Sequence, residues 1–78
     1  MRRLTPGEIR RFRELLGKTQ EEMSELLGIG KKTYTRWESG AYPQTESSDR
    51  YLRLVMFRRE NLRFLERHNA KVEAWKTR

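Results

Sequence analysis

Three basic side chains and a hydroxyl group lie at helical spacing in the middle of the chain. They are Lys31, Lys32, Thr35 and Arg36. At 100° per residue, a helix over this stretch places Lys32 and Arg36 opposite Tyr34 and Trp37, with Lys31 and Thr35 flanking the basic face. Ammonium and guanidinium groups donate hydrogen bonds to guanine edges and to phosphates, and a threonine methyl can contact a thymine methyl. The pattern favours binding of a nucleic acid by one helix face, with an ordinary solvated basic face as the alternative.

Candidate phosphate contacts lie on both sides of this stretch. Thr19 and Gln20 stand at the start of the preceding predicted helix, where free backbone N–H groups and the helix dipole attract an anion. Gln20 also offers a side-chain donor. The backbone at Ser39 and Gly40, after the basic residues, is the second candidate. Contacts of this kind fix the register of a protein on a nucleic acid without reading its sequence.

Short helices separated by glycine and proline must position these residues. Thr5 with Glu8, and Thr19 with Glu22, have the spacing of capping boxes. Apolar residues repeat at helical spacing between these starts and the glycines that end the helices. The resulting predicted helices span about residues 6–16, 20–27, 31–38, 46–57 and 60–68 or longer. No strand pattern is present, so we expect an all-α fold.

The second half of the chain leaves alternatives open. Either Thr45 or Ser47 caps the fourth helix, and the polar stretch 58–61 either separates two helices or lies within one long bent helix. We assign residues 1–67 to one domain and residues 68–78 to a helical extension or frayed tail. Apolar residues in that tail, Val72 and Trp75, either pack on the domain itself or on a second copy of the chain.

The composition limits the class of protein. The 78 residues carry a formal net charge of +7 and no cysteine, which indicates one small domain with an anionic partner and excludes disulfides and thiolate metal sites. The single histidine, His68, has no second histidine with which to hold a metal, and no nucleophile and base are paired. We therefore expect no catalysis, metal or cofactor. No apolar run is long enough to span a membrane, which favours the cytoplasm.

Several segments resemble the Cro/repressor-like, or XRE-type, helix-turn-helix family of DNA-binding proteins. They read TQEEM at 19–23, LLG at 26–28 and TYTRWESG at 33–40. Within that family, the segments LTPGEI at 4–9, RWESG at 36–40 and RYLRL at 50–54 are similar to the DNA-binding domain of MqsA-type antitoxins. The resemblance covers residues 4–40 well, is weaker over 41–67 and is absent from 68–78. It implies a five-helix, lambda-repressor-like domain.

The resemblance also assigns roles to individual residues. It places the base-reading positions on Lys31, Lys32 and Arg36, and a phosphate contact on Gln20. It implies that Arg13 pairs with Glu38 at the edge of the core. This pair has a structural role, as do Tyr34 and Trp37, which we expect to be buried. MqsA-type antitoxins bind their toxin through a cysteine-rich zinc domain, and this chain contains no cysteine. Toxin neutralisation is therefore not transferred.

Taken together, these features predict a transcriptional regulator that binds a specific double-stranded DNA sequence. The helix over 31–38 would enter the major groove, and the protein would act as a homodimeric repressor. One alternative is an antitoxin or protein-interaction module whose tail binds a toxin or another protein. A second is RNA binding by the arginine-rich final helices.

Overall fold

The structure is a computed structural model that describes the backbone of residues 2–76 and the side chains of residues 2–67. Five α-helices follow one another, and no strand is present between residues 2 and 76. They are α1 (Pro6–Leu15), α2 (Gln20–Leu27), α3 (Lys31–Ser39), α4 (Glu46–Phe57) and α5 (Arg59–Lys76). The predicted all-α class and number of helices are confirmed. The side chains of His68, Val72 and Trp75 lie outside the described residues.

The first two helices begin at capping boxes, as the sequence predicts. The Thr5 hydroxyl accepts a hydrogen bond from the Glu8 backbone at 3.1 Å, and the Glu8 carboxylate accepts one from the Thr5 backbone at 2.8 Å. Thr19 and Glu22 make the same reciprocal pair at 3.1 and 2.9 Å. Each box satisfies two N–H groups that a helix end otherwise leaves without a partner. These local bonds explain why the two helix starts are predictable.

The boundaries of α4 resolve two of the alternatives. Thr45 is the N-cap, because its hydroxyl accepts a hydrogen bond from the Ser48 backbone at 3.2 Å. Arg58 has an extended backbone with φ −138° and ψ 107°, which separates α4 from α5. The Asn61 side chain then donates to the Leu54 carbonyl at 2.9 Å and binds the end of α4. The last two helices are therefore distinct.

The end of α3 comes very close to the start of α1. Gly40 ends α3 with φ +79°, in the left-handed region that glycine adopts without strain. A Cβ atom built at Gly40 would lie 3.3 Å from Cγ of Pro6. This glycine therefore serves both to reverse the chain and to let the two helices approach.

One apolar core holds the helices together. α3 packs against both α1 and α2, and α4 packs against α5. The buried apolar residues are Leu4, Ile9, Met23, Leu27, Tyr34, Trp37, Leu52 and Val55, and Leu62 and Leu65 of α5 pack against them. The Tyr51 hydroxyl also donates to the Leu27 carbonyl at 2.9 Å, which ties α4 to α2. Because each large apolar side chain contributes about 1.5–3 kcal/mol when fully buried, this core fixes the orientation of α3.

A buried polar cluster, which the sequence did not predict, joins the N-terminal segment to α4. Asp49 is only 2% exposed. Its Oδ1 accepts hydrogen bonds from the Leu4 backbone at 2.7 Å and from Gln44 Nε2 at 2.9 Å. Its Oδ2 accepts one from Arg53 Nε at 2.8 Å. Burial alone would raise the pKa of Asp49, but these hydrogen bonds outweigh it and hold the pKa below its ordinary value.

Candidate nucleic-acid interface

The two faces of α3 differ as the helical spacing predicts. Tyr34 is 0% exposed and Trp37 is 5% exposed, and their rings pack edge to face with centroids 6.1 Å apart. Lys31, Lys32 and Arg36 are exposed. The buried aromatic pair fixes the rotation of the helix about its axis, because turning it would expose two large rings to water. The three cations consequently project from the protein on a rigid support.

Thr35 differs from its three basic neighbours. It is half-buried, and its hydroxyl donates a hydrogen bond to the Lys32 carbonyl at 3.0 Å. The hydroxyl hydrogen is thus committed within the helix. Thr35 can accept a hydrogen bond or make apolar contacts at the edge of the basic face, which is compatible with contact between its methyl group and a thymine.

Arg36 has an aromatic neighbour that the sequence did not reveal. Its guanidinium carbon lies 4.9 Å from the centroid of the Tyr42 ring, within the range of a cation–π interaction. Tyr42 follows α3 in the loop before α4 and is 63% exposed. It is six positions from Arg36 and separated from it by Gly40, so helical spacing gives no signal for this contact.

The start of α2 offers fewer anion-binding groups than its position implies. The capping box uses the backbone N–H groups of Thr19 and Glu22. The N–H groups of Gln20 and Glu21 are the other donors of the first turn, and neither has a partner within the helix. The hydrogen bond from the Thr19 backbone also lowers the pKa of Glu22, which keeps a negative charge at this helix end. The Gln20 and Glu21 N–H groups are therefore the backbone donors of this turn that remain free for an anion.

The other predicted phosphate contacts are engaged within the protein. Gln20 Nε2 donates to Glu38 Oε1 at 3.2 Å. The Ser39 hydroxyl donates to the Arg36 carbonyl at 3.1 Å, and the Gly40 N–H donates to the same carbonyl at 3.0 Å. A phosphate at Ser39 or Gly40 must compete with these bonds, whereas Gln20 keeps its second amide hydrogen. The phosphate roles of these residues remain predictions.

The ion pair expected from the resemblance is present and links all three helices of the site. Arg13 of α1 donates to both carboxylate oxygens of Glu38 in α3, from Nε at 2.7 Å and from Nη2 at 3.0 Å. Arg13 Nη1 also donates to the Lys18 carbonyl at 2.9 Å, just before α2. The two side chains are 16% and 3% exposed. With the bond from Gln20, this pair positions α2 relative to α3.

Burial and hydrogen bonding act in opposite directions on Glu38. Burial alone would raise its pKa, but the hydrogen bonds from Arg13 and Gln20 outweigh this effect and hold the pKa below its ordinary value. Tyr34 lies beside the same carboxylate, and burial raises the pKa of its hydroxyl. Glu38 is thus charged and Tyr34 is neutral at pH 7. The charges of Arg13 and Glu38 therefore neutralise each other beneath the site. The positive charge of α3 lies on the exposed side chains of Lys31, Lys32 and Arg36.

Metal and membrane sites receive no support from the described part of the chain. Its residues include no group of three or more His, Cys, Asp or Glu side chains that could hold a metal ion together. Among the helices of that part, none combines the length and the apolar character that crossing a membrane requires.

Comparison with known proteins gives one match. The family model described as helix-turn-helix matches residues 9–54, which is more than half of the chain. The matched region begins within α1, includes α2 and α3, and ends within α4. No curated protein and no solved structure matches the chain. The family match does not test the finer likeness to MqsA-type antitoxins.

Proposed function

Because this chain belongs to the helix-turn-helix family of DNA-binding regulators, we propose that it binds a specific double-stranded sequence with α3 in the major groove. The observation that carries the proposal is the orientation of α3. Tyr34 and Trp37 are buried while Lys32 and Arg36 are exposed. A helix with a rigid apolar side and a basic outer side has the size and the donors that the major groove accommodates.

The proposal divides the contacts into two kinds. The base-reading residues are Lys31, Lys32, Thr35 and Arg36. The residues that contact phosphates are Thr19, Gln20, Ser39 and Gly40. Arg36 has the leading role, because a planar guanidinium can donate two hydrogen bonds to one guanine. Within α2, the backbone N–H of Gln20 is the strongest phosphate donor, since the capping box leaves it unused.

We also propose that the protein binds as a homodimer and represses transcription. A single module of this size buries only about 600–1,000 Å² of protein surface on DNA. Two copies on a two-fold site double that area and read two half-sites about one helical turn apart. A dimer seated across a promoter would obstruct polymerase, which is a regulatory action that requires DNA binding alone.

Selection from random duplexes tests this proposal directly. We expect the protein to enrich one motif with two related half-sites. Binding to that motif should weaken with salt, with a log–log slope of about −0.9 for each neutralised phosphate. Absence of any enriched motif would contradict the proposal. A preference for RNA would favour the RNA-binding alternative, and salt-insensitive binding to a protein would favour the antitoxin or protein-interaction alternative.

Replacing Arg36 with alanine should affect binding to the selected site more than binding to random DNA. We expect Arg36→Ala to lose about 1–3 kcal/mol of binding free energy on the selected site and much less on random duplexes, because a base contact is lost. Gln20→Ala should weaken binding to both by a similar, smaller amount, because alanine removes the side-chain donor and keeps the backbone N–H. Arg11→Ala is the matched control, since Arg11 is an exposed arginine of α1 that lines the groove between α1 and α4, away from α3. Fluorescence anisotropy measures all three, and equal losses for Arg36→Ala on both DNAs would exclude base reading by Arg36.

A further inference from the structure

The loop after α3 places Tyr42 beside the basic helix. Gly40 reverses the chain at the end of α3 with φ +79°, and Pro43 restricts the backbone of the preceding Tyr42 to extended conformations. The Ala41 N–H donates to the Ser39 hydroxyl at 3.3 Å, which ties the start of the loop to the helix. The backbone on either side of Tyr42 is therefore restrained by its neighbours in the chain.

The contact between Tyr42 and Arg36 leaves the hydrogen-bonding groups of the arginine free. When a guanidinium stacks on a ring, the contact engages its face and leaves its five N–H donors pointing outward in its plane. Among residues 2–67, the ion pairs involve Arg2, Arg13 and Arg53, and none involves Arg36. Arg36 is thus restrained by an aromatic ring while its donor edge stays available.

We propose that Tyr42 is a positioning residue that holds the Arg36 guanidinium for bidentate recognition of guanine, an inference that rests on the proposed function. A long arginine side chain loses rotamer freedom when it binds a base edge. Stacking on Tyr42 removes part of that freedom before DNA arrives, so less is lost on binding. Two donors of Arg36 must align with O6 and N7 of one guanine. The restraint by Tyr42 therefore increases the preference for guanine at that position more than it increases the affinity for DNA of any sequence.

The test compares Tyr42→Ala with Tyr42→Phe, because phenylalanine keeps the ring and removes only the hydroxyl. The DNAs are the selected site and the same site with adenine in place of the guanine whose contact Arg36→Ala abolishes. We expect Tyr42→Ala to lower the preference for guanine about two- to fivefold, the range of an exposed cation–π contact. Tyr42→Phe should keep the wild-type preference. In an Arg36→Ala background, Tyr42→Ala should have no further effect.

NMR of the free protein provides a readout independent of DNA. The Arg36 side-chain protons should show an upfield ring-current shift that disappears in Tyr42→Ala and persists in Tyr42→Phe. Urea unfolding should be similar for all variants, since Tyr42 is exposed. This separates positioning of Arg36 from a general loss of structure.

Several outcomes would overturn the proposal. One is a guanine preference that is unchanged in Tyr42→Ala but lost in Arg36→Ala. The proposed function would then stand, and only the role of Tyr42 would be overturned. Tighter binding by Tyr42→Ala would show that the ring withholds Arg36 from DNA. Equal losses in Tyr42→Ala and Tyr42→Phe would assign the effect to the hydroxyl. A wild-type protein without any sequence preference would contradict the proposed function itself and this inference with it.

Discussion

Replacing Glu38 with glutamine is expected to lower the free energy of unfolding by about 2–4 kcal/mol. Glutamine keeps the shape of the side chain but presents one acceptor oxygen where Arg13 needs two. Its amide hydrogens would face the guanidinium, so a largely buried charge would lose its partner. The bond from Gln20 would also be weakened, since it ends on the same carboxylate. The loss is large because one side chain serves three helices.

Urea unfolding followed by circular dichroism at pH 7 measures this effect. Glu25→Gln on α2 is the matched control, because Glu25 is exposed and a surface change of this kind alters stability by about 0.5 kcal/mol or less. A double-mutant cycle with Arg13→Ala should show a coupling energy between the two positions. If Glu38→Gln were as stable as its control, the pair would contribute nothing net and the positions of α2 and α3 would depend on apolar packing alone.

Local chemistry made most of the fold predictable from the sequence. The helix starts depend on residues three positions apart, as at Thr5 and Thr19, and their partners are read directly from the sequence. The orientation of α3 follows from the angular positions of Tyr34 and Trp37. These features need no knowledge of the rest of the chain. The basic face was predictable for the same reason, because it is the opposite side of the same helix.

Contacts between distant residues were not predictable in this way. Asp49 binds the Leu4 backbone across 45 positions, and in the sequence it reads as an ordinary acidic residue in the first turn of a helix. Gln44 reads as a loop residue, although it is buried against Leu4 and Asp49. Tyr42 is likewise a loop residue whose contact with α3 depends on how the chain turns. Polar burial carries no periodic signal, so only the folded arrangement reveals it.

Replacing Asp49 with asparagine is expected to lower the free energy of unfolding by about 2–4 kcal/mol. The carboxylate accepts from the Leu4 backbone and Gln44 on one oxygen and from Arg53 on the other. Asparagine has one acceptor oxygen. Its amide group must therefore face either the Leu4 and Gln44 donors or the Arg53 donor. A buried donor would then lack a partner, and the N-terminal segment that carries Leu4 would be held less firmly on α4.

Acid should weaken the wild type more than this variant. The folded pKa of Asp49 lies below its ordinary value of 3.8, so the unfolded chain binds the proton more tightly. The stabilisation is therefore fully present above that ordinary value and is lost as the pH falls through the folded pKa. Asp49→Asn lacks this titration. Its stability should fall less steeply below about pH 5, although Glu38 still contributes a loss of the same sign.

Glu46→Gln is the control that distinguishes the loss of the buried hydrogen bonds of Asp49 from the loss of a charge near the helix dipole. Glu46 and Asp49 both lie in the first turn of α4, but Glu46 is exposed, and losing its charge should cost about 0.3–1 kcal/mol. Hydrogen exchange supplies the local measurement, since the Leu4 N–H is protected only while Asp49 accepts its hydrogen bond. Equal losses in the two variants, or an Asp49→Asn protein in which Leu4 keeps its protection, would mean that Leu4 is held by its apolar contacts. If Asp49→Asn is less stable than Glu46→Gln and the Leu4 N–H exchanges faster, the Asp49 carboxylate holds the N-terminal segment on α4.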